Sequence, residues 1–288
     1  MAARILTLPA TPGFRKSTFT LYRAVAASVS PFTGKYRTQE FDATYWLAEL
    51  SLPPMKRAEV AAWQAFFLKC EGQKNHFKLG DPDAQAPLGT YNNTNLLSIK
   101  RTTVASGSIV VTASTGVFAR TGIGTNNFAG SYIHVTGATN EDNNGTHKIS
   151  SVTNANTVVV DTDYSTGLVN ETFTGVVDQN VKGATALMLT KTGSGTGTIV
   201  AGDYLAILDG TAATDNPSQL VMAVENATVS GNYWSVETEP KLRADLANSY
   251  YVVHTAPKGL FRMASPMSEW DSNHVSTYGI AFSCVEVS

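Results

Sequence analysis

The stretch Ser51–Pro82, SLPPMKRAEVAAWQAFFLKCEGQKNHFKLGDP, carries the one convincing helical pattern in a chain that otherwise reads as strands and turns. Val60, Trp63, Phe66, Phe67 and Cys70 recur at i, i+3 and i+4 spacings and form one wide apolar face. Lys56, Arg57, Glu59, Gln64 and Lys69 fall mostly off that face. Pro53 and Pro54 suit a first helical turn, where a missing N–H does no harm, so the helix is predicted over about 54–70. Gly72 is the expected stop, with Lys69 in the last turn to meet the carbonyl ends. Phe77 and Leu79 alternate with Lys78 as a strand before Gly80-Asp81-Pro82 turns the chain. A lone helix with so aromatic a face must lie on something, and the strands on either side of it are the candidates.

Those strands come from both ends of the chain. Residues 1–17, with Pro9, Pro12 and Gly13, read as an extended arm leading into a strand around Phe19, Leu21 and Val25. Ser30-Pro31-Phe32-Thr33-Gly34 is turn chemistry. Phe41–Leu52 is a strand with two largely apolar faces, expected to be covered twice, by the helix and by another sheet or a neighbouring subunit. At the far end Gly259–Met263 and Tyr278–Val287 alternate as strands, and Trp270-Asp271 precedes a polar turn at Ser272-Asn273. Neither end has enough strands to close a core alone, so the closing strand is predicted to pair with the N-terminal ones.

Between these ends the composition changes after Pro87-Leu88-Gly89. Residues 90–178 are rich in Thr, Ser, Asn, Gly and Val. Short β runs at Ser108–Thr112, Tyr132–Val135, His147–Val152 and Thr157–Val160 are punctuated by Asn143-Asn144-Gly145 and Asn154-Ala155-Asn156. Residues 179–254 hold further strands at Ala186–Leu189, Asp203–Leu208, Gln219–Val224 and Asn232–Glu237. The fold class is therefore mainly β: a discontinuous β-barrel or sandwich domain (1–89 and 255–288) with one helix, an inserted small all-β module (90–178), and a second β domain (179–254). With 288 residues, 43% of them apolar and only 15% charged, the chain is long enough for such cores.

Chemistry is sparse. Gly193-Ser194-Gly195-Thr196-Gly197 lacks the lysine and following helix of a phosphate loop and reads as a hairpin loop. Asp81 and Asp83, and Asn140-Glu141-Asp142-Asn143, lack the full calcium-loop spacing. His134 and His147 fall on strands that could be neighbours, but no third zinc ligand is evident. No Gly-x-Ser-x-Gly elbow presents a nucleophile. Asp203 and Asp271 read as strand-end or turn acids, and Cys70 and Cys284 as buried free thiols. No catalytic, cofactor-binding or metal-binding residue is assigned, and no cofactor. A formal net charge of −2 provides no global basic field for nucleic acid or anionic lipid, and no apolar run approaches the ~18 residues of a membrane span. The N-terminus has no secretory apolar region, so synthesis and folding in the cytoplasm are expected.

Several strings together resemble the distal tail proteins of long-tailed, siphovirus-type phages. They are Phe41–Leu52, Leu52-Pro53-Pro54-Met55, Ala62-Trp63-Gln64-Ala65-Phe66, Phe77-Lys78-Leu79-Gly80-Asp81-Pro82, Ala201-Gly202-Asp203-Tyr204, Pro240-Lys241-Leu242-Arg243, Pro257–Ala264 and Tyr278–Phe282. The resemblance covers about 1–90 and 181–288, while 90–180 departs from it and is similar to small β modules of phage structural proteins. It implies a non-enzymatic virion protein, a homo-oligomeric and usually hexameric ring between the tail tube and the tip or baseplate hub. Its implied partners are other copies of itself, the tail tube protein, the hub and the tape measure protein, with no nucleic-acid specificity and no membrane insertion. The implied location is the virion tail tip, assembled in the host cytoplasm. Other readings are a carbohydrate-binding β-sandwich for adhesion, a cell-wall hydrolase, and a tail-tube or terminator protein.

Overall fold

A computed structural model describes residues 3–91, 97–102, 104–191, 197–267, 270–272 and 277–287. The fold is mainly β and divides into two units. The first comprises 1–86, 216–220 and 256–288; the second comprises 87–215 and 221–255.

The first unit is built on a six-stranded sheet that mixes both chain ends. Its order across the sheet is Ile5–Leu6, His76–Leu79, Gly259–Met263, Ala281–Glu286, Tyr36–Ser51 and Lys16–Val29. The expected end-to-end pairing is present, with Phe282 opposite Leu50 and Cys284 opposite Ala48 in an antiparallel ladder. Residues directly opposite share a face. Trp46, Ala48, Leu50, Phe77, Phe261, Phe282 and Cys284 therefore make one buried face.

The helix Arg57–Cys70 lies on that face, with Val60, Trp63, Phe66, Phe67 and Cys70 buried as the spacing predicts. Phe67 meets Phe282 edge-on at 5.0 Å between ring centroids, and Phe66 meets Phe77 at 5.3 Å. Such pairs add to the burial itself, about 1 kcal/mol each. Both cysteines are buried and unpaired.

The helix starts three residues later than the proline rule suggests, at Arg57 rather than about residue 54. The competing interaction is the sheet. Leu52 N–H donates to Ile280 O at 2.9 Å, and Met55 exchanges backbone bonds with Tyr278 at 3.0 and 2.8 Å. Pro53 and Pro54 are held between these bonds, outside the helix. Lys56 is the extended cap residue, and its N–H donates to the Glu59 carboxylate at 3.0 Å. At the other end Glu71 takes the first left-handed position, one residue before the expected stop at Gly72. Gly80 is required by proximity, because a Cβ there would lie 2.1 Å from the carbonyl oxygen of Pro257.

The second unit holds one closed six-stranded barrel and all of another except the start of its strand Pro217–Ala223, which through Leu220 belongs to the first unit. In the first, Val104–Thr112, Val117–Ala119, Tyr132–Thr136, Gly145–Asn154, Thr157–Val160 and Glu171–Asp178 enclose a core around Ile109, Phe118, Ile133, Ile149 and Val158. Two of its strands, Val117–Ala119 and Glu171–Asp178, escape the sequence reading, as does a one-turn helix at Thr162–Ser165. The second barrel joins Leu97–Ile99, Ala186–Lys191, Tyr204–Leu208, Pro217–Ala223, Tyr233–Glu239 and Tyr251–Val253. Pairing of Leu189 with Trp234 and of its neighbours closes the ring. Leu97–Ile99, assigned from composition to the inserted module, belongs instead to this second barrel, where Leu189 pairs with Ile99. The expected closing strand Tyr278–Val287 is broken at Ile280 into Tyr278–Gly279 and Ala281–Glu286.

Candidate functional site

The feature of the first unit that its own core does not account for is a long hairpin. Lys16–Val29 and Tyr36–Ser51 pair from Lys16 opposite Ser51 to Val29 opposite Tyr36, with a register shift between Arg23 and Val25. The second strand starts at Tyr36, five residues before the expected Phe41. Near its base the hairpin is anchored: Trp46, Ala48 and Leu50 are buried, and Phe19 packs edge-on against Phe261 at 6.1 Å. Beyond the bulge the ribbon leaves the core. Every described residue from Val25 to Phe41 is exposed except Ser30.

That outer half is rich in apolar groups. Phe32 at the turn is 95% exposed and Tyr36 is 72% exposed; Val25, Val29 and Phe41 are exposed as well. The turn itself is well formed. Gly34, at φ +64°, donates to Ser30 O, and Ser30 N–H donates to Lys35 O, both at 2.9 Å. A two-stranded ribbon is marginal in water unless it packs on something, and a contiguous exposed apolar patch marks a contact surface. The sequence predicts cover on both faces of the strand through Phe41–Leu52. Within the first unit one face is covered, while Tyr45 and Leu47 on the other are only half-buried and Phe41 is exposed. Among the described residues Lys16–Val29 is also the last strand of its sheet, so no other described strand pairs with its outer edge.

The residues singled out for chemistry are occupied structurally. His134 and His147 do lie on paired strands, but Ile133 faces His147 and His134 faces Thr146. The two imidazoles therefore point to opposite faces of the ladder. His147 is turned into the barrel against Phe118, and His134 bonds Thr146 Oγ1 at 2.9 Å. Burial pushes both below the ordinary histidine range. In the loop at Asn140–Asn143, Asn140 Oδ1 accepts from Asp142 N–H. The Glu171 carboxylate takes up the N–H groups of Thr139 and Asn140 and the side-chain amide of Asn143. Those oxygens are spent on the loop's own donors. Asp81 likewise accepts from Asp83 N–H. No group of three or more His, Cys, Asp or Glu able to hold a metal occurs among the described residues. Of the glycine-rich loop Gly193–Gly197, all but Gly197 lies outside the described residues.

Two buried carboxylates carry roles that the sequence reading missed. Asp203 accepts backbone N–H bonds from Leu88 (2.6 Å), Gly89 (3.2 Å) and Val200 (2.9 Å), and His254 Nε2 lies 3.2 Å from it, with both side chains fully buried. It pins the segment that enters the second unit. Glu286 accepts from Leu220 N–H at 2.8 Å and from Trp46 N–H at 3.4 Å. The Asp203 and Leu88 partners are 115 residues apart, and no local spacing signals such a bond.

One further polar cluster joins the two barrels of the second unit. Tyr132 OH donates to Glu225 at 2.5 Å, Lys148 Nζ meets Glu225 at 2.6 Å, and Tyr164 OH lies 3.4 Å from Glu237. Burial, then the bond to Glu225, pushes the Tyr132 phenol up; burial, then the Glu225 charge, raises Glu237. Tyr132, Lys148 and Tyr164 come from the first barrel and Glu225 and Glu237 from the second barrel side, so the cluster ties the two together as a polar joint. No helix among the described residues is long and apolar enough to cross a membrane. No protein-family model matches this chain, and no curated protein matches it.

Proposed function

We propose that this chain is a structural, non-enzymatic protein of a phage virion that assembles with copies of itself into a ring, hexameric in the related proteins it resembles. The ring sits at the distal end of the tail and joins the tail tube to the tip or baseplate hub. The observation that carries the reading is the hairpin Lys16–Val29/Tyr36–Ser51, whose apolar outer half is unsupported within its own unit. Self-association covers such a ribbon and occupies the outer edge of Lys16–Val29. The discontinuous unit, with one helix on a sheet of mixed chain ends, is the arrangement predicted from the strand count of the two chain ends.

Adhesion to carbohydrate has less behind it. The aromatic platform it would need in the inserted barrel, Tyr132 and Tyr164, is turned into the joint with the second barrel, and Tyr132 is 3% exposed.

Electron microscopy and native mass spectrometry of the purified chain test the proposal. Closed rings with one copy number are expected. Material that stays monomeric at every concentration, or that grows into long tubes, would overturn it. Tubes would favour a tube protein. A peptidoglycan zymogram is expected to show no clearing.

A further inference from the structure

We infer that the hairpin tip of one copy inserts Phe32 into a depression beside the helix of the next copy. This rests on the self-assembly reading above and assigns its contact. The depression has a volume of about 220 Å³ and is lined by Phe67, Met263, Ser265, Met267, Ala281, Phe282 and Ser283. A closed cavity of about 150 Å³ already accepts a benzene molecule, so an aromatic side chain fits the space. Two methionines and two phenylalanines suit an aromatic guest, because a thioether packs favourably at a ring edge and is adaptable in shape. Met267 is 76% exposed, so the depression has an apolar rim turned to solvent.

The occupant must come from another molecule. The depression adjoins Phe282, which pairs with Leu50, which in turn pairs with Ser17 at the base of the hairpin. At ~3.3 Å per residue, the ladder from Ser17 to Val29 puts Phe32 about 40 Å from that base. Phe32 is 95% exposed, so it does not occupy the depression of its own copy. Each copy thus offers one protruding apolar knob and one apolar hole at separate places. That is a head-to-tail contact, which closes into a ring when the rotation per copy allows it. A second depression, across Ala281–Ser283, is rimmed by Lys16, Thr18 and Glu49, and the charged groups of Lys16 and Glu49 make it the poorer receptor for an aromatic ring.

Cysteine cross-linking of the full chain tests the contact. The native Cys70 and Cys284 are fully buried and do not interfere. Phe32→Cys and Met267→Cys are combined in one chain, and both sites are exposed enough to leave folding intact. Mild oxidation is expected to yield a ladder of disulfide-linked multimers on a non-reducing gel. Each single variant alone gives none, and the two single variants mixed give linked dimers. A Phe32→Cys/Val169→Cys control gives no ladder; an equal ladder from it would overturn the assignment. Phe32→Asp is expected to weaken self-association by about tenfold or more, and Phe32→Trp to preserve it. Rings of unchanged copy number without the cross-link overturn this contact and leave self-assembly standing. A wild-type chain that stays monomeric overturns both.

Discussion

The indole Nε1 of Trp46 donates to the carbonyl oxygen of Leu220 at 2.9 Å, joining residues 174 positions apart. The Leu220 N–H in turn donates to Glu286 at 2.8 Å, so both polar groups of the Leu220 backbone are satisfied by side chains of the first unit. This is how the segment Asn216–Leu220 becomes part of a unit otherwise made from the chain ends. Trp46→Phe keeps most of the apolar bulk and leaves one buried carbonyl without its donor. A loss of about 1–3 kcal/mol is expected, read as a lower midpoint in urea at unchanged slope. An unchanged midpoint would show that water or a neighbour replaces the indole.

Asp203 and Gly89 form the comparable pin in the second unit. A Cβ on Gly89 would sit 2.0 Å from Thr198 O and 2.8 Å from Asp203 Oδ2. Gly89→Ala is therefore expected to cost about 1–3 kcal/mol by overpacking. Asp203→Ala leaves three backbone donors unpaired and should cost about 3 kcal/mol or more. Thermal unfolding of the two variants ranks them, and a neutral Asp203→Ala would remove the pin from the account.

The joint between the barrels makes stability depend on pH. Glu237 has its carboxyl raised, by burial first and then by the Glu225 charge, while Lys148 and the hydroxyls of Tyr132 and Tyr164 pull the other way on it or face it. A carboxyl raised on folding binds its proton more tightly in the native state. Its contribution is thus complete below the ordinary carboxylate range and is lost as the pH rises through the raised value. Glu237→Gln should flatten this segment of a Tm-against-pH curve. Parallel curves for wild type and variant would assign the slope to other groups.

Cys70 is pushed up to about 11 by burial, and burial raises Cys284 as well. Neither thiolate is populated or accessible near neutral pH. A thiol-alkylating reagent at pH 8 should label neither in the native protein and both in denaturant. Labelling of Cys70 alone under native conditions would reveal local opening of the helix from its sheet.

The helix face was legible in the sequence because Val60, Trp63, Phe66, Phe67 and Cys70 repeat with the period of the helix itself, and the mainly-β class followed from short alternating runs separated by turn residues. Pairing of the closing strand with the N-terminal strands also followed, since neither end has strands enough to form a core. Three things needed the tertiary structure: the ring that Leu97–Ile99 joins, the place where the helix begins, and the partners of Asp203 and Glu286. Strand pairing and buried carboxylate bonds depend on which distant backbone arrives opposite, and a local pattern holds no record of that arrival. The exposure of the hairpin belongs to the same class: the residues from Val25 to Phe41 carry apolar groups like a half-buried strand pair, and only the position of the core decides that those side chains face outward.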